Sequence, residues 1–123
     1  MTGQDVYIRA LALLDELDDD GAANTDTGYE GKAPYIIDAV QRDIAQLAGI
    51  DVLAPVTALS DTLYISDDHA LRIAPYGVAA EFALQDKMSD EYQKNYMEYK
   101  KRLQSVRSTT EKRDPYHLLA GMQ

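Results

Sequence analysis

The apolar positions of residues 67–86 predict a helix that the rest of the chain encloses. On a helix of 3.6 residues per turn, one face carries Leu71, Pro75, Val78 and Phe82, and the opposite face carries Ile73, Ala80 and Leu84. A helix that is apolar on two sides is usually covered by neighbouring helices. We therefore expect the other elements to pack around this segment, with Phe82 deeply buried.

Pro75 lies in the middle of this segment and allows two interpretations. Within one continuous helix it would lack a backbone N–H, and its ring would clash with the carbonyl of Leu71, which would kink the helix. Alternatively, the helix breaks and a new helix starts with Pro75 at its first position. Because the apolar face continues in phase across the proline, the sequence favours the kink.

The first predicted helix spans residues 4–17. Thr2 and Asp5 have the spacing of a capping box, with Asp in place of the more usual Glu. The inward stripe consists of Val6, Ala10, Leu13, Leu14 and Leu17. Ile8 lies on the opposite side of the helix and would be exposed to solvent in a monomer. It is therefore either an ordinary exposed apolar residue or part of a contact between subunits.

The second predicted helix spans residues 33–48, and Gly49 ends it as a typical C-cap. Its apolar stripe consists of Ile36, Ile37, Val40, Ile44 and Leu47. Pro34 suits the first turn of such a helix. The spacing of Thr27 and Glu30 would also allow a start one turn earlier.

The last predicted helix spans residues 90–107, with Ser89 as its N-cap. One continuous seam is formed by Tyr92, Tyr96, Tyr99, Leu103 and Val106, which recur every three or four residues. We interpret this seam as core or interface packing in preference to a platform for stacking nucleic-acid bases, because the neighbouring part of the chain is acidic. The basic outer face, which includes Lys94 and Lys101, is expected to meet the acidic body of a neighbouring copy.

Residues 18–31 form a loop that is rich in Asp, Gly and Asn. Together with Glu16 before it, the start of this loop imitates positions of an EF-hand calcium loop, at Glu16, Asp18, Asp20 and Gly21. The imitation fails because the first position is Glu and Thr27 stands where a bidentate Glu is required. We interpret the segment as a solvated acidic turn and expect no metal.

Residues 51–66 change to alternating polar and apolar positions with many β-branched side chains. This pattern predicts short extended segments, with a small hairpin as one form, around residues 59–65. Pro55 argues against a central sheet position. Together with the helices, the pattern predicts an all-α bundle of about four helices with this extended segment between helices two and three.

Composition and charge narrow the possible functions. The 123 residues suit one domain with one core, and the absence of cysteine excludes disulfides and thiol catalysis. Nothing resembles a signal peptide or a membrane-spanning segment, so we expect synthesis in the cytoplasm and no membrane partner. Residues 1–86 contain 16 acids and 4 bases, whereas residues 87–123 contain 5 acids and 8 bases. Because residues 1–86 are so acidic, we expect them to bind nucleic acid poorly when no specific sequence is recognised.

No spacing in the sequence is typical of a catalytic site. The two histidines, His69 and His117, belong to no HExxH motif, and there is neither a GxSxG motif nor a glycine-rich phosphate loop. We therefore expect no enzymatic activity and no cofactor. His69 is expected at the surface or in a helix cap.

Four segments, in order, resemble the head–tail connector proteins of tailed bacteriophages, also called adaptor or head-completion proteins. They are YEGKAPYIIDAVQRDIAQLAGI at residues 29–50, LSDTLYISDD at 59–68, IAPYGVAAEFALQD at 73–86 and SDEYQKNYMEYKK at 89–101. The similarity covers roughly residues 5–103, and the order and spacing of the segments carry it.

The resemblance implies a structural protein of the virion neck. Such proteins form a ring, here expected to contain twelve copies, beneath the portal, and they present a platform for the next connector or tail component. Genomic DNA passes through the lumen of the ring. A small helical nucleic-acid-binding or regulatory module, such as a packaging subunit, is the alternative, but the charge balance disfavours it because only the C-terminal third is basic.

Residues 108–123 form a tail after the helical connector domain of residues 1–107. Pro115 ends any helical continuation. A short apolar group follows, too small for a core of its own: Tyr116, Leu118, Leu119 and Met122. Lys112 and Arg113 precede the proline and could pair with acids on a receiving surface. We expect the tail to dock on another subunit or on a partner; a disordered end is the alternative.

Overall fold

The computed structural model describes residues 1–16 and 28–106, which form an all-α bundle. Its helices are α1 (Gly3–Leu13), α2 (Ala33–Ala48), α3 (Asp67–Arg72), α4 (Ala74–Gln85) and α5 (Ser89–Leu103). The predicted all-α fold is therefore confirmed, although the predicted third helix is divided into α3 and α4. None of these helices has both the length and the apolar character that crossing a membrane requires.

α4 is the central helix and packs against each of the other four. Its buried residues lie on all sides and include Val78, Ala79, Ala80, Phe82 and Ala83. Phe82 is fully buried between two aromatic rings: Tyr29 stacks on it at 4.3 Å, and Tyr7 meets it edge-on at 6.0 Å, between ring centroids. The predictions that this segment is enclosed and that Phe82 is deeply buried are confirmed.

The preferred kink at Pro75 is wrong, and the alternative of a break is close to the structure. α3 ends at Arg72, Ile73 lies between the two helices, and α4 begins at Ala74 with Pro75 in its first turn. A proline in the first turn of a helix sacrifices no intrahelical hydrogen bond. The chain therefore keeps its apolar face in register without accepting the cost of a proline in mid-helix.

The capping box predicted for the first helix is present. The backbone N–H of Asp5 donates to Thr2 Oγ1 at 3.4 Å, and the backbone N–H of Thr2 donates to Asp5 Oδ2 at 2.9 Å. These bonds to the Thr2 backbone and hydroxyl lower the pKa of Asp5. The first turn of α1 thus carries its own N-terminal cap.

The predicted end of the first helix is too late. α1 stops at Leu13, and Asp15 adopts a left-handed conformation with φ 58° while Glu16 N–H donates to the Leu11 carbonyl at 2.8 Å. Leu17 lies outside the described residues. The predicted stripe is also too narrow, since Tyr7 and Leu11 are buried beside Val6, Ala10 and Leu14, whereas Leu13 is half-buried. α1 contacts α2, α3 and α4, so more than one stripe is covered.

α2 has the predicted bounds, Ala33–Ala48, and Gly49 caps it in the left-handed conformation with φ 72°. Residues 30–32 form a turn, so the helix does not start one turn earlier; Thr27 lies outside the described residues. Within the predicted stripe, Ile37, Val40 and Ile44 are buried, whereas Ile36 is half-buried and Leu47 is 45% exposed. The outer members of the stripe thus lie at the edge of the bundle.

Residues 51–66 contain no strand, and the predicted hairpin does not form. Instead, Asp61 closes a turn by accepting hydrogen bonds from the backbone N–H groups of Thr57 and Ala58, which lowers the pKa of Asp61. The turn then binds the start of α1, because Gly3 N–H donates to the Asp61 carbonyl at 3.0 Å and Gln4 N–H donates to the Leu59 carbonyl at 2.7 Å. The extended segment therefore pairs with the N-terminus.

α5 is shorter than predicted and starts without a side-chain cap. Met88 is its N-cap residue, Ser89 is already helical, and the helix ends at Leu103 rather than Arg107. Lys87 in the left-handed conformation, with φ 59°, turns the chain from α4 into α5. Val106 is buried beyond the helix end, so the last apolar position of the predicted seam contributes to the core from a non-helical turn.

Candidate interaction surfaces

Tyr99 fixes α5 to the two helices beneath it. A Cβ at Gly77 would lie 2.8 Å from Tyr99 Cε1, so only a glycine lets this ring rest on the backbone of α4. The Tyr99 hydroxyl donates to Asp43 Oδ2 on α2 at 3.2 Å. Burial, followed by the charge of Asp43, raises the pKa of Tyr99, so the phenol remains the hydrogen-bond donor. One side chain thereby sets how α2, α4 and α5 meet.

The solvent side of α5 presents an apolar residue between two lysines. Lys94 and Lys101, both predicted interface residues, are exposed. Met97 lies between them, three residues after one and four before the other, and is 70% exposed. At 1.5 Å per residue, the two lysines are about 10 Å apart along the helix axis. We call Lys94, Met97 and Lys101 the α5 ridge.

A groove of about 270 Å³ opens between α2, α4 and α5. Its lining includes Tyr35, Ile36, Ala39, Asp43, Glu81 and Tyr96. Tyr35 is 75% exposed and Tyr96 is 40% exposed, so two aromatic rings remain open to solvent in this groove. Asp43 and Glu81 are also exposed and add negative charge. We call this site the α2–α5 groove.

One wall of the groove is formed by Tyr96 and Tyr99 of α5. The rings of Tyr92 and Tyr96 stack with centroids 5.5 Å apart, and Lys100 Nζ lies 5.9 Å from the Tyr96 centroid. The predicted seam is therefore divided: Tyr99 is buried, Tyr92 is half-buried, and Tyr96 faces the groove. Three tyrosines that looked equivalent in sequence thus have different surroundings.

A polar cleft of about 280 Å³ lies between α3 and the end of α5, and Arg102 crosses it. Arg102 Nε donates to Glu98 Oε2 at 2.6 Å, which lowers the pKa of Glu98, and Arg102 Nη1 donates to the Arg72 carbonyl at 2.9 Å. Its guanidinium also lies 4.4 Å from the centroid of Tyr76. Arg102 thus holds the end of α5 against α3 and α4, and its charge is already compensated.

Comparisons of the chain with models of protein families, with curated proteins and with solved structures found no match. Within residues 1–16 and 28–106, no group of three or more His, Asp or Glu side chains is placed to hold a metal ion.

The remaining predicted site residues are distributed as follows. Ile8 is half-buried on α1, so it is less open to a partner than its sequence position suggests. His69 lies in the first turn of α3, where its backbone N–H donates to the capping Ser66 Oγ at 3.1 Å. Six predicted interface residues lie outside the described part of the chain: Lys112, Arg113, Tyr116, Leu118, Leu119 and Met122.

Sequence reasoning missed Met97, Tyr35 and the groove carboxylates as members of interaction surfaces. Met97 could have been found because it falls between Lys94 and Lys101 on the polar side of α5. The groove has no such signal, because its lining comes from three helices whose relative placement depends on the contact between Gly77 and Tyr99.

Proposed function

We propose that this protein is a structural subunit of the neck of a tailed bacteriophage, joining the portal of the head to the tail or to the next connector component. The ordered resemblance carries this proposal. Three of its four segments contain α2, α4 and most of α5, and the fourth contains Leu59 and Asp61, whose carbonyls bind the start of α1. The similar segments thus supply the central helix and both exposed surfaces.

In this role the protein forms a ring, with twelve copies expected from the resemblance, and DNA passes through its lumen. A ring repeats one heterologous contact, so each copy needs two different surfaces that complement each other. The α5 ridge carries two exposed lysines beside an exposed methionine, whereas the α2–α5 groove is concave and carries two carboxylates. Acidic side chains that face the lumen would repel DNA phosphates and keep the genome from adhering during its passage.

Negative-stain imaging of the protein with and without its portal tests the proposal directly. We expect a monomer or a weak oligomer alone and a ring after docking on the portal. Because charge attraction between exposed groups is screened over about 8–10 Å at moderate salt, the ring should loosen as salt rises. A tight dimer that responds to neither salt nor portal would contradict this function.

A nucleic-acid-binding module remains the second candidate because α5 presents Lys94, Lys100 and Lys101 in an otherwise acidic protein. A gel-shift experiment with duplex DNA at modest salt separates the two functions. Specific or tight DNA binding that weakens steeply with salt would favour the module. A connector subunit should give no shift at the same protein concentration.

A further inference from the structure

The α5 ridge and the α2–α5 groove each combine exposed apolar side chains with charged ones, and the charged members named for the two surfaces have opposite sign. The ridge presents a 70% exposed methionine between two lysines. The groove presents two exposed aromatic rings and an open Ala39, together with two carboxylates. Both features lie within the described residues of one chain.

We propose that the groove of one copy binds the α5 ridge of the next copy. This inference rests on the proposed ring and assigns its repeating contact. Met97 enters between Tyr35 and Tyr96, while the lysines of the ridge meet Asp43 and Glu81.

The side-chain chemistry fits this arrangement. Methionine is flexible and makes favourable contacts between its sulfur and aromatic rings, so it can fill an irregular groove between two tyrosines. Ion pairs at a solvated edge add little affinity, but they steer the approach and fix the register of the two partners. Met97 thus supplies affinity, and the charged side chains supply orientation.

The contact must form between copies. Tyr96, in the wall of the groove, and Met97, on the ridge, belong to the same helix and project from different sides of it. A ridge therefore cannot enter the groove that its own helix helps to form. A contact between two different surfaces is heterologous, and repeating it gives a closed ring when the rotation closes.

The absence of cysteine from the chain allows a clean crosslinking test. Full-length Met97→Cys protein is mixed with full-length Ala39→Cys protein under mild oxidation, and the rate of heterodimer formation is measured. The matched control replaces Ala39→Cys by Gln46→Cys, an exposed residue of the same helix outside the groove. We expect crosslinking to Ala39→Cys to be about ten-fold faster, because binding raises the effective concentration of the two thiols.

Charge reversal then tests the register. Glu81→Lys in the Ala39→Cys protein should slow crosslinking about three- to ten-fold. Either Lys94→Glu or Lys101→Glu in the Met97→Cys protein should restore the rate. Asp51→Lys, an equal change of charge at an exposed residue outside the groove, should leave the rate unchanged.

The inference is overturned if Ala39→Cys crosslinks no faster than Gln46→Cys, or if neither reversal on the ridge restores the rate. It is also overturned if a Leu118→Cys protein crosslinks to Ala39→Cys faster than Met97→Cys does, since the tail would then occupy the groove. Attachment to portal-containing heads is measured in parallel. If crosslinking fails but attachment is normal, only the proposed contact is disproved. If crosslinking is rapid but the protein does not attach, only the proposed connector function is disproved.

Discussion

α4 and α5 are neighbouring helices of similar length, but α4 is mostly buried and α5 is mostly exposed to solvent. Eight of the 12 residues of α4 are buried, but only Asn95 and Tyr99 are buried among the 15 residues of α5. α4 is surrounded by four helices, and small residues such as Ala79, Ala80 and Ala83 allow them to approach closely. α5 instead packs along one side only, mainly against α4, and leaves the rest of its surface exposed.

This difference separates stability from recognition. A side chain on α4 has little room to change, because it fills space between helices. A side chain on the outer face of α5 can change with little effect on the core, so that face is free to adapt to a partner. We therefore expect substitutions at the buried positions of α4 to affect unfolding, and substitutions on the ridge, in the groove or beyond α5 to affect assembly.

The largest expected effect is that of Phe82→Ala on α4. Removing a fully buried ring that packs against Tyr7 and Tyr29 should lower the free energy of unfolding by about 3–5 kcal/mol. Leu84→Ala is the matched control on the same helix, because Leu84 is 50% exposed, and it should cost about 1 kcal/mol or less. Denaturant unfolding measures both, and equal losses would contradict the enclosed position of Phe82.

Gly77→Ala tests the junction between the two helices and should cost about 1–3 kcal/mol. Helix propensity alone would favour alanine by about 1 kcal/mol, but its methyl group would meet the ring of Tyr99 at 2.8 Å. The clash with Tyr99 should therefore outweigh the gain in helix propensity and make the substitution destabilising. Gly31→Ala is the control, since nothing lies within 4 Å of a Cβ placed there. A Gly77→Ala protein as stable as the wild type would show that Tyr99 can move away freely.

The sequence predicted those elements whose signals are local. The capping box of Thr2 and Asp5, the bounds of α2 and the burial of Phe82 follow from spacing, caps and apolar periodicity, and all three are confirmed. The break before Pro75 does not follow from the sequence, because the apolar phase is the same for a kink and for a new helix beginning at Ala74. Periodicity cannot distinguish two solutions that bury the same face.

Features that depend on distant residues were not predictable in this way. The hairpin expected around residues 59–65 is replaced by pairing with Gly3 and Gln4, which are far away in sequence. The α2–α5 groove likewise requires the close approach of Gly77 and Tyr99, for which the sequence offers only an isolated glycine. The conformation of residues 59–65 and the shape of the groove are therefore both determined by tertiary contacts.

Alkaline pH should weaken the fold through two buried phenols. Burial raises the pKa of Tyr29 and of Tyr99 above the ordinary value of about 10, and each hydroxyl donates to a carboxylate, Asp86 or Asp43 respectively. The folded state then holds more protons than the unfolded state. This stabilisation is complete below about pH 10 and is lost as the pH rises further toward the folded-state pKa values.

Measuring the free energy of unfolding against pH checks this prediction. The decline above about pH 10 should be shallower in Tyr29→Phe and Tyr99→Phe, because phenylalanine cannot ionise. Each variant should also lose about 1 kcal/mol near neutral pH, where its hydrogen bond is missing. An identical alkaline slope in the wild type and both variants would exclude these phenols as its cause.

The smallest expected effect on stability comes from deleting residues 108–123, which follow α5. The core of the described residues is formed by α1 to α5 and the turns between them, so the free energy of unfolding should change by less than about 0.5 kcal/mol. Incorporation into phage particles should nevertheless be lost. The tail carries four apolar residues after Pro115, and a short segment can bury them only against another surface.

Ordering such a segment costs entropy, so its receptor should be a groove or a sheet edge that also satisfies backbone groups. A full-length protein with Leu118→Asp and Leu119→Asp is the matched control, because it keeps the length of the tail and removes its apolar character. Lys112→Glu with Arg113→Glu should mainly slow attachment, since such charges steer association more than they hold the complex. If the truncated protein enters particles as well as the full chain, the tail is not an anchor, and attachment must depend on the helical bundle.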